Sequence, residues 1–256
     1  MKRVTGIGGL FFKTNDVPKL KDWYRDKLGF KTTDWGATFV WGDSDPEKKT
    51  VSRTEWSPFK ADTDYFSPSD KPFMINYRVH DLHKLLEQLK KEGVNAIGDV
   101  QEFEYGKFGW IMDPEGNKME LWEPVDDKFG DAPPTWTDRV TGLGGVFFKA
   151  EDPKMLKAWY AKHLEIPDYF SAKDLNNPSA DVLTTWCLFE KNSDYFDPSE
   201  KTYMFNYRVK NLKALLQSLE QEGVKSVKPM EESPYGDFGW IMDPDGNKLE
   251  LWEPKG

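Results

Sequence analysis

Apolar positions in this chain follow two rhythms, one of period two and one of helical spacing, and they alternate along its length. Val4 to Lys13 is an apolar, glycine-interrupted run that predicts a strand. Asp16 is placed to cap the following segment, where Leu20, Trp23, Tyr24 and Leu28 fall on one helical face before Gly29 closes it. Phe39 to Trp41 and Thr50 to Phe59 read as strands around a polar hairpin. A loop through Asp64-Tyr65-Phe66 leads to a strand over Phe73 to Val79. Asp81 then caps a helix with Leu82, Leu85, Leu86 and Leu89 on one face, ended by Gly93. Two last strands, Phe108 to Met112 and Lys118 to Trp122, are joined by Asp113-Pro114-Glu115-Gly116, a turn with proline second and glycine fourth.

The whole pattern then recurs. Tyr105 to Pro124 reads YGKFGWIMDPEGNKMELWEP and Tyr235 to Pro254 reads YGDFGWIMDPDGNKLELWEP. Twins lie 136 apart at first (Gly9 and Gly145) and 130 apart later (Met74 and Met204), so the second copy is about six residues shorter between Leu164 and Trp186. Its first helix has a stronger start, Asp152 as cap and Pro153 at the first helical position. The expected organisation is a first domain over 1–124, an extended aspartate- and proline-rich linker over 125–139, and a second domain over 140–256. Strand, helix and about three strands, twice per copy, predict an α+β fold of four βαβββ modules. Strands of period two beside amphipathic helices imply sheets with one face under helices.

Composition narrows the field. The formal charge is -9, with no basic stripe, which argues against nucleic acid, whose binding draws on lysine and arginine. Aromatic residues make up 15% of the chain and can supply the cores. Cys187 is the lone cysteine, so neither an intrachain disulfide nor a cysteine metal cluster is available. Thr5, the glycines and Lys13 interrupt the first apolar run, and no stretch reaches the ~20 apolar residues of a membrane span. The expectation is a soluble, cytoplasmic protein. Asp43-Ser44-Asp45-Pro46-Glu47 hints at calcium but lacks the glycine and distal glutamate of an EF-hand, and reads as a solvated turn.

Three groups of residues carry a resemblance to a known family: Trp23-Tyr24 with Leu28-Gly29-Phe30, the step from Arg78 to Leu82, and Asp113 to Leu121. With their second-copy counterparts Trp159-Tyr160, Arg208 to Leu212 and Asp243 to Leu251, the chain resembles the vicinal oxygen chelate superfamily of glyoxalase I, bleomycin-resistance proteins and extradiol dioxygenases. The resemblance implies tandem glyoxalase-like domains whose curved mixed sheets form open cups, with helices outside. Metal-dependent members carry ligands on four cup-facing strands. Those positions fall here at Gly9, a residue near Trp56, Met74 and Glu120, and at Gly145, a residue near Trp186, Met204 and Glu250. Only the glutamates suit a hard metal ion. Glu55 would join them if the Trp56 strand were shifted by one, but its counterpart is Thr185. His80, His83 and His163 read as solvated helix positions. No metal or other cofactor is therefore predicted.

Strand parity supplies a different cup content. It gathers Phe11, Trp56, Met74, Asn76, Arg78, Glu120 and Trp122 in the first copy, and Phe147, Trp186, Met204, Asn206, Arg208, Glu250 and Trp252 in the second. An aromatic lining with a few convergent polar groups suits a small organic molecule. Glu120 and Glu250 are the candidate general bases of a metal-independent isomerase or lyase, with Asn76 and Arg78 orienting a carbonyl or enolate. Glu120 equally suits a buried pair with Arg78. The alternatives are a non-catalytic sequestering protein of the bleomycin-resistance type, or a lyase or dioxygenase dependent on a divalent metal. Because relatives pair two domains across an interface, the fused chain is expected to be monomeric.

Overall fold

A computed structural model describes residues 2–42, 51–129, 139–175, 177 and 180–255. The acidic Asp43–Glu47 segment and most of the expected linker lie outside the described residues. The first copy runs β1 (Val4–Thr14), α1 (Val17–Leu28), β2 (Ala37–Gly42), β3 (Val51–Lys60), β4 (Phe73–Val79), α2 (Leu82–Lys91), β5 (Gln101–Phe103), β6 (Gly106–Met112) and β7 (Lys118–Pro124). The second repeats it as β8 (Val140–Ala150), α3 (Pro153–Leu164), β9 (Tyr169–Lys173), β10 (Asp181–Glu190), β11 (Tyr203–Val209), α4 (Leu212–Gln221), β12 (Ser226–Ser233), β13 (Gly236–Met242) and β14 (Lys248–Pro254).

Each copy contributes seven consecutive strands to one mixed sheet, ordered β2-β3-β1-β4-β7-β6-β5 in the first and β9-β10-β8-β11-β14-β13-β12 in the second. The two meet edge to edge where Gly42 pairs with Lys173. Within a copy the two modules join through antiparallel β1 and β4, and β1 bulges between Ile7 and Gly9, so that Gly8 has no partner in the register. This is the α+β architecture of tandem βαβββ modules. Helix starts are set by side chains accepting from the first turn: Asp16 from the Lys19 amide, Asp81 from Lys84, Asp152 from Met155 and Asn211 from Ala214.

The core is shared. Phe12 meets Tyr203 and Phe205, and Phe73 meets Phe148, so the convex faces of the two copies bury each other's rings. Helices α1 and α3 lie in that common layer: Tyr24 donates to Asp243 Oδ2 (3.0 Å) and Tyr160 to Asp113 Oδ2 (2.9 Å), each crossing to the other copy. Separate, smaller clusters mark the concave faces, Phe11, Phe66, Met74 and Trp110 in the first copy and Phe147, Phe196, Met204 and Trp240 in the second. The helices therefore stand on the convex side, and two cups open away from it.

His163 departs from the solvated position expected of it. It is buried at the junction, its Nδ1 2.7 Å from Glu92 Oε2, while Arg3 also reaches Glu92 (2.6 Å). The second copy mirrors this cluster with Arg139 and Lys27 on Glu222.

Candidate functional site

The floor of cup one is built by strand register. Asn76 pairs with Glu120 across parallel β4 and β7, and Trp110 pairs with Glu120 across the β6–β7 hairpin. All three side chains point the same way, so the carboxylate collects donors. Asn76 Nδ2 donates to Oε1 (2.6 Å), Trp110 Nε1 to Oε2 (2.9 Å), and the Tyr65 hydroxyl to Oε2. Tyr65 comes from the loop after β3, held by a stacked contact with Phe59 (5.3 Å between rings) and by Lys118 Nζ, which donates to its carbonyl (2.7 Å). Glu120 is 2% exposed. Burial pushes its carboxyl above the ordinary carboxylate range, against the opposing pull of the three donors and Lys118. Burial likewise raises the Tyr65 hydroxyl, and Glu120 beside it adds to the effect.

Gly8 permits this arrangement. A Cβ there would stand 2.1 Å from Asn76 Oδ1 and 2.9 Å from both Arg78 Cγ and Trp122 Cε3. The Asn76 Oδ1 that it leaves room for is buried and accepts no hydrogen bond among the described residues.

Above this floor lies an open hollow of about 870 Å³. Phe11, Phe59, Tyr65, Phe108 and Trp122 give it an aromatic wall, Glu55 and Asn76 face into it, and Trp35 and Tyr105 stand at its margin. Trp35 is 87% exposed, a ring with nothing packed over it. The volume lies in the ~300–1,000 Å³ range of small-molecule pockets.

Cup two repeats the floor. Glu250 accepts from Asn206 Nδ2 (2.6 Å), Trp240 Nε1 (2.8 Å) and the Tyr195 hydroxyl, and burial raises its carboxyl too. A Cβ at Gly144 would stand 2.0 Å from Asn206 Oδ1.

Of the residues gathered by parity, Phe11, Asn76, Glu120 and Trp122 meet at the hollow, and Met74 packs beneath it against Phe11, Phe66 and Trp110. Phe147 and Met204 pack together in the second cup's cluster, Asn206 bonds Glu250, and Trp252 stacks on Phe238 (6.1 Å). Two pairs belong elsewhere. Trp56 and Trp186 turn into the shared core, Trp56 against Tyr24 and Phe30, Trp186 against Tyr160 and Phe148 with its Nε1 on the Tyr77 hydroxyl (2.8 Å). Parallel pairing of Gly9 with Glu55 fixes β3 one residue away from the expected parity, so Glu55, Ser57 and Phe59 face the cup. Arg78 does not converge on Glu120 either. Its guanidinium lies between Trp41 and Trp122 (5.5 and 5.1 Å), with Nη2 on Asp126 Oδ2 (2.5 Å). Arg208 donates to the Leu183 carbonyl (3.0 Å).

Tyr65 and Trp110 are the site residues that parity along single strands missed as partners of Glu120. Trp110 was within reach of a count back from the Asp113–Gly116 turn, which sets it opposite Glu120. Tyr65 was not, because its side chain arrives from a loop.

The four strand positions at which metal-dependent relatives hold an ion do not form a donor set. Gly9 has no ligand atom, Met74 offers a buried thioether, Glu55 is engaged by Thr38 Oγ1 (2.7 Å), and both oxygens of Glu120 accept hydrogen bonds. No group of three His, Cys, Asp or Glu side chains converges among the described residues.

Comparison with known proteins follows the fold. Residues 6–121 match the family model described as the Glyoxalase/Bleomycin resistance protein/Dioxygenase superfamily. Among solved structures, a catechol 2,3-dioxygenase aligns over 99% of this chain and 95% of its own at 16% identity and TM-score 0.64. The Mn(II)-bound glyoxalase from Novosphingobium aromaticivorans covers 99% of this chain and 83% of its own, at 11% identity and TM-score 0.65. The 2,3-dioxygenase LapB from Pseudomonas sp. KL28 covers 100% and 94%, at 14% identity and TM-score 0.63. At such identities the likeness is one of fold. No curated protein matches the chain.

Proposed function

Since residues 6–121 match the family model of the Glyoxalase/Bleomycin resistance protein/Dioxygenase superfamily, we propose that this chain binds a small organic molecule in the cup of its first copy without enlisting a divalent metal. One observation carries the reading: a hollow of about 870 Å³ with aromatic walls ends on a buried carboxylate fixed by Tyr65, Asn76 and Trp110. The rings supply apolar area and exclude water, and the few polar atoms at the floor orient what enters. Each wall position comes from a packed strand, apart from Tyr65 and the rim, so the site is largely preformed.

The contact between the Tyr65 hydroxyl and Glu120 favours a second reading, proton transfer. Burial makes Glu120 a stronger base than an exposed glutamate. It would take a proton from a carbon next to a carbonyl and return it to a neighbouring atom, an isomerisation with no net change in electrons. Tyr65 would hold the carboxylate in place meanwhile.

Native mass spectrometry of protein purified without added ligand, followed by a thermal-shift screen of apolar and aromatic compounds, tests the binding reading. A stoichiometric small-molecule adduct or a saturable shift is expected. Stoichiometric manganese, iron, nickel or zinc in the same preparation would overturn the metal-independent part. Glu120→Gln separates the two readings: turnover lost with binding retained means catalysis, and unchanged behaviour means a binder.

A further inference from the structure

The two cups share a floor but differ in charge. Glu55 on β3 faces the hollow of cup one, and Asp34 stands at its margin, with Lys60 as the one cation of the lining. Glu55 Oε2 accepts from Thr38 Oγ1 at 2.7 Å. The twin of Glu55 in cup two is Thr185. The reverse exchange occurs near the sheet edges, on β12 in cup two and just before β5 in cup one. In cup two Lys228 rests its ammonium 3.6 Å from the centre of the Trp240 ring and 5.6 Å from that of Tyr195, the two rings that bond Glu250. Its twin in cup one is Gly98, beside which a Cβ would meet nothing within 4 Å. Both cups keep one lysine near these rings, Lys118 at 5.5 Å from Tyr65 and Trp110 and Lys248 at 5.5 Å from Tyr195 and 5.9 Å from Trp240, but only the cup that lacks the extra carboxylate adds a second, Lys228.

Rings and a carboxylate lining a hollow attract an organic cation, through the negative ring faces and through Coulomb attraction that strengthens as the ligand displaces water. Lys228 shows within the same molecule that this floor accommodates an ammonium.

We infer that cup one alone takes the ligand, and that the ligand is an organic cation: a flat apolar body bearing a protonated amine or amidine directed to Glu55. This rests on the small-molecule reading of the hollow and adds the ligand's charge and the stoichiometry. Cup two, with Lys228 in place, serves the fold.

Three naphthalene probes of one size test it by isothermal titration of the full chain: 1-naphthylmethylamine, 1-naphthylmethanol and 1-naphthoate. The amine binds at one per chain and about tenfold more tightly than the alcohol, the range of a partly desolvated cation–ring and charge contact. Glu55→Thr, which places in cup one the residue cup two already carries, removes that preference by weakening the amine far more than the alcohol. Asp34→Asn, at an exposed position, reduces it in part and guards against a folding defect in the first variant. Lys228→Gly leaves amine binding to cup one intact. Equal binding of the alcohol or the naphthoate overturns the cationic class while the small-molecule reading stands. Two amines per chain, or a preference that survives Glu55→Thr, overturns the assignment to cup one. If none of the three binds, this inference falls, and the wider screen decides the reading beneath it.

Discussion

At the scale of single residues, the site depends on what is missing at Gly8. An alanine there would place its Cβ within 2.1 Å of Asn76 Oδ1, and the bulged strand leaves no room to yield. Gly8→Ala and Gly144→Ala are each expected to cost about 1–3 kcal/mol, the usual penalty of forcing atoms into a packed site. Only the first should weaken ligand binding, since it alone displaces the floor of the open cup; denaturant titration and calorimetry of both variants check this. Glu120 offers a pH test. Its folded carboxyl titrates above the ordinary 4.5, chiefly through burial. A raised group contributes its stability below the unfolded value and loses it as pH rises through the folded one. Glu120→Gln, which sets an amide N–H against donors, should cost about 1–3 kcal/mol. That cost should be greatest below pH 4.5 and shrink on going to neutral pH. A gap that widened with pH would contradict the raised carboxyl.

At the scale of elements, local chemistry in the sequence sets helix ends and turns with little help from elsewhere, and these were the legible parts. Asp16, Asp81 and Asp152 cap where their side chains predict, and Gly29 ends α1 in the left-handed region at φ 74°. Its twin Glu165 takes the same conformation at φ 55° and is the only non-glycine residue with positive φ among those described. Gly29→Ala should therefore cost about 1 kcal/mol, measurable by thermal unfolding, because the side chain meets its own backbone in that conformation. Parity was legible on β4 and β7, where a twin-checked pattern sends Asn76 and Glu120 to one face. It failed on β3. Ser52, Arg53, Thr54, Glu55, Trp56 and Ser57 put polar groups on both faces, so the largest side chain was no guide, and only pairing with β1 sends Trp56 to the core. Contacts made by a loop, such as Tyr65 on Glu120, or between distant charges, such as Arg78 on Asp126, leave no period to read.

At the scale of the molecule, the tandem repeat announced duplication but not how the halves meet. A repeat detected in sequence is compatible with two independent domains on a linker. Here the convex faces share one core, and the duplicated contacts cross between copies in reciprocal pairs: Tyr24 with Asp243, and Tyr160 with Asp113. Each aspartate also organises its own β-turn, Asp113 accepting from the amides of Glu115 and Asn117 and Asp243 from those of Asp245 and Asn247. The hairpin that positions Glu120 is thus tied to a helix of the other copy. The mating of two βαβββ pairs is completed inside one chain, so the expected state in ultracentrifugation is a monomer.

That arrangement makes cooperativity the sharpest expectation about the whole. Neither copy can lose its structure without exposing the rings the other packs against, and exposed apolar area is the dominant cost at about 25 cal/mol per Å². Urea unfolding should then be one transition, with the same midpoint from total tryptophan fluorescence, which samples both copies, and from labelling of Cys187, which lies half-buried in cup two. Tyr24→Phe, on the first copy's helix, removes a donor from buried Asp243 and should lower both midpoints together by an amount equivalent to about 1–2 kcal/mol. Two separated midpoints, or a Tyr24→Phe effect confined to one probe, would show instead that the copies fold as independent units, and the coupling of the Glu120 hairpin to α3 would have to be abandoned.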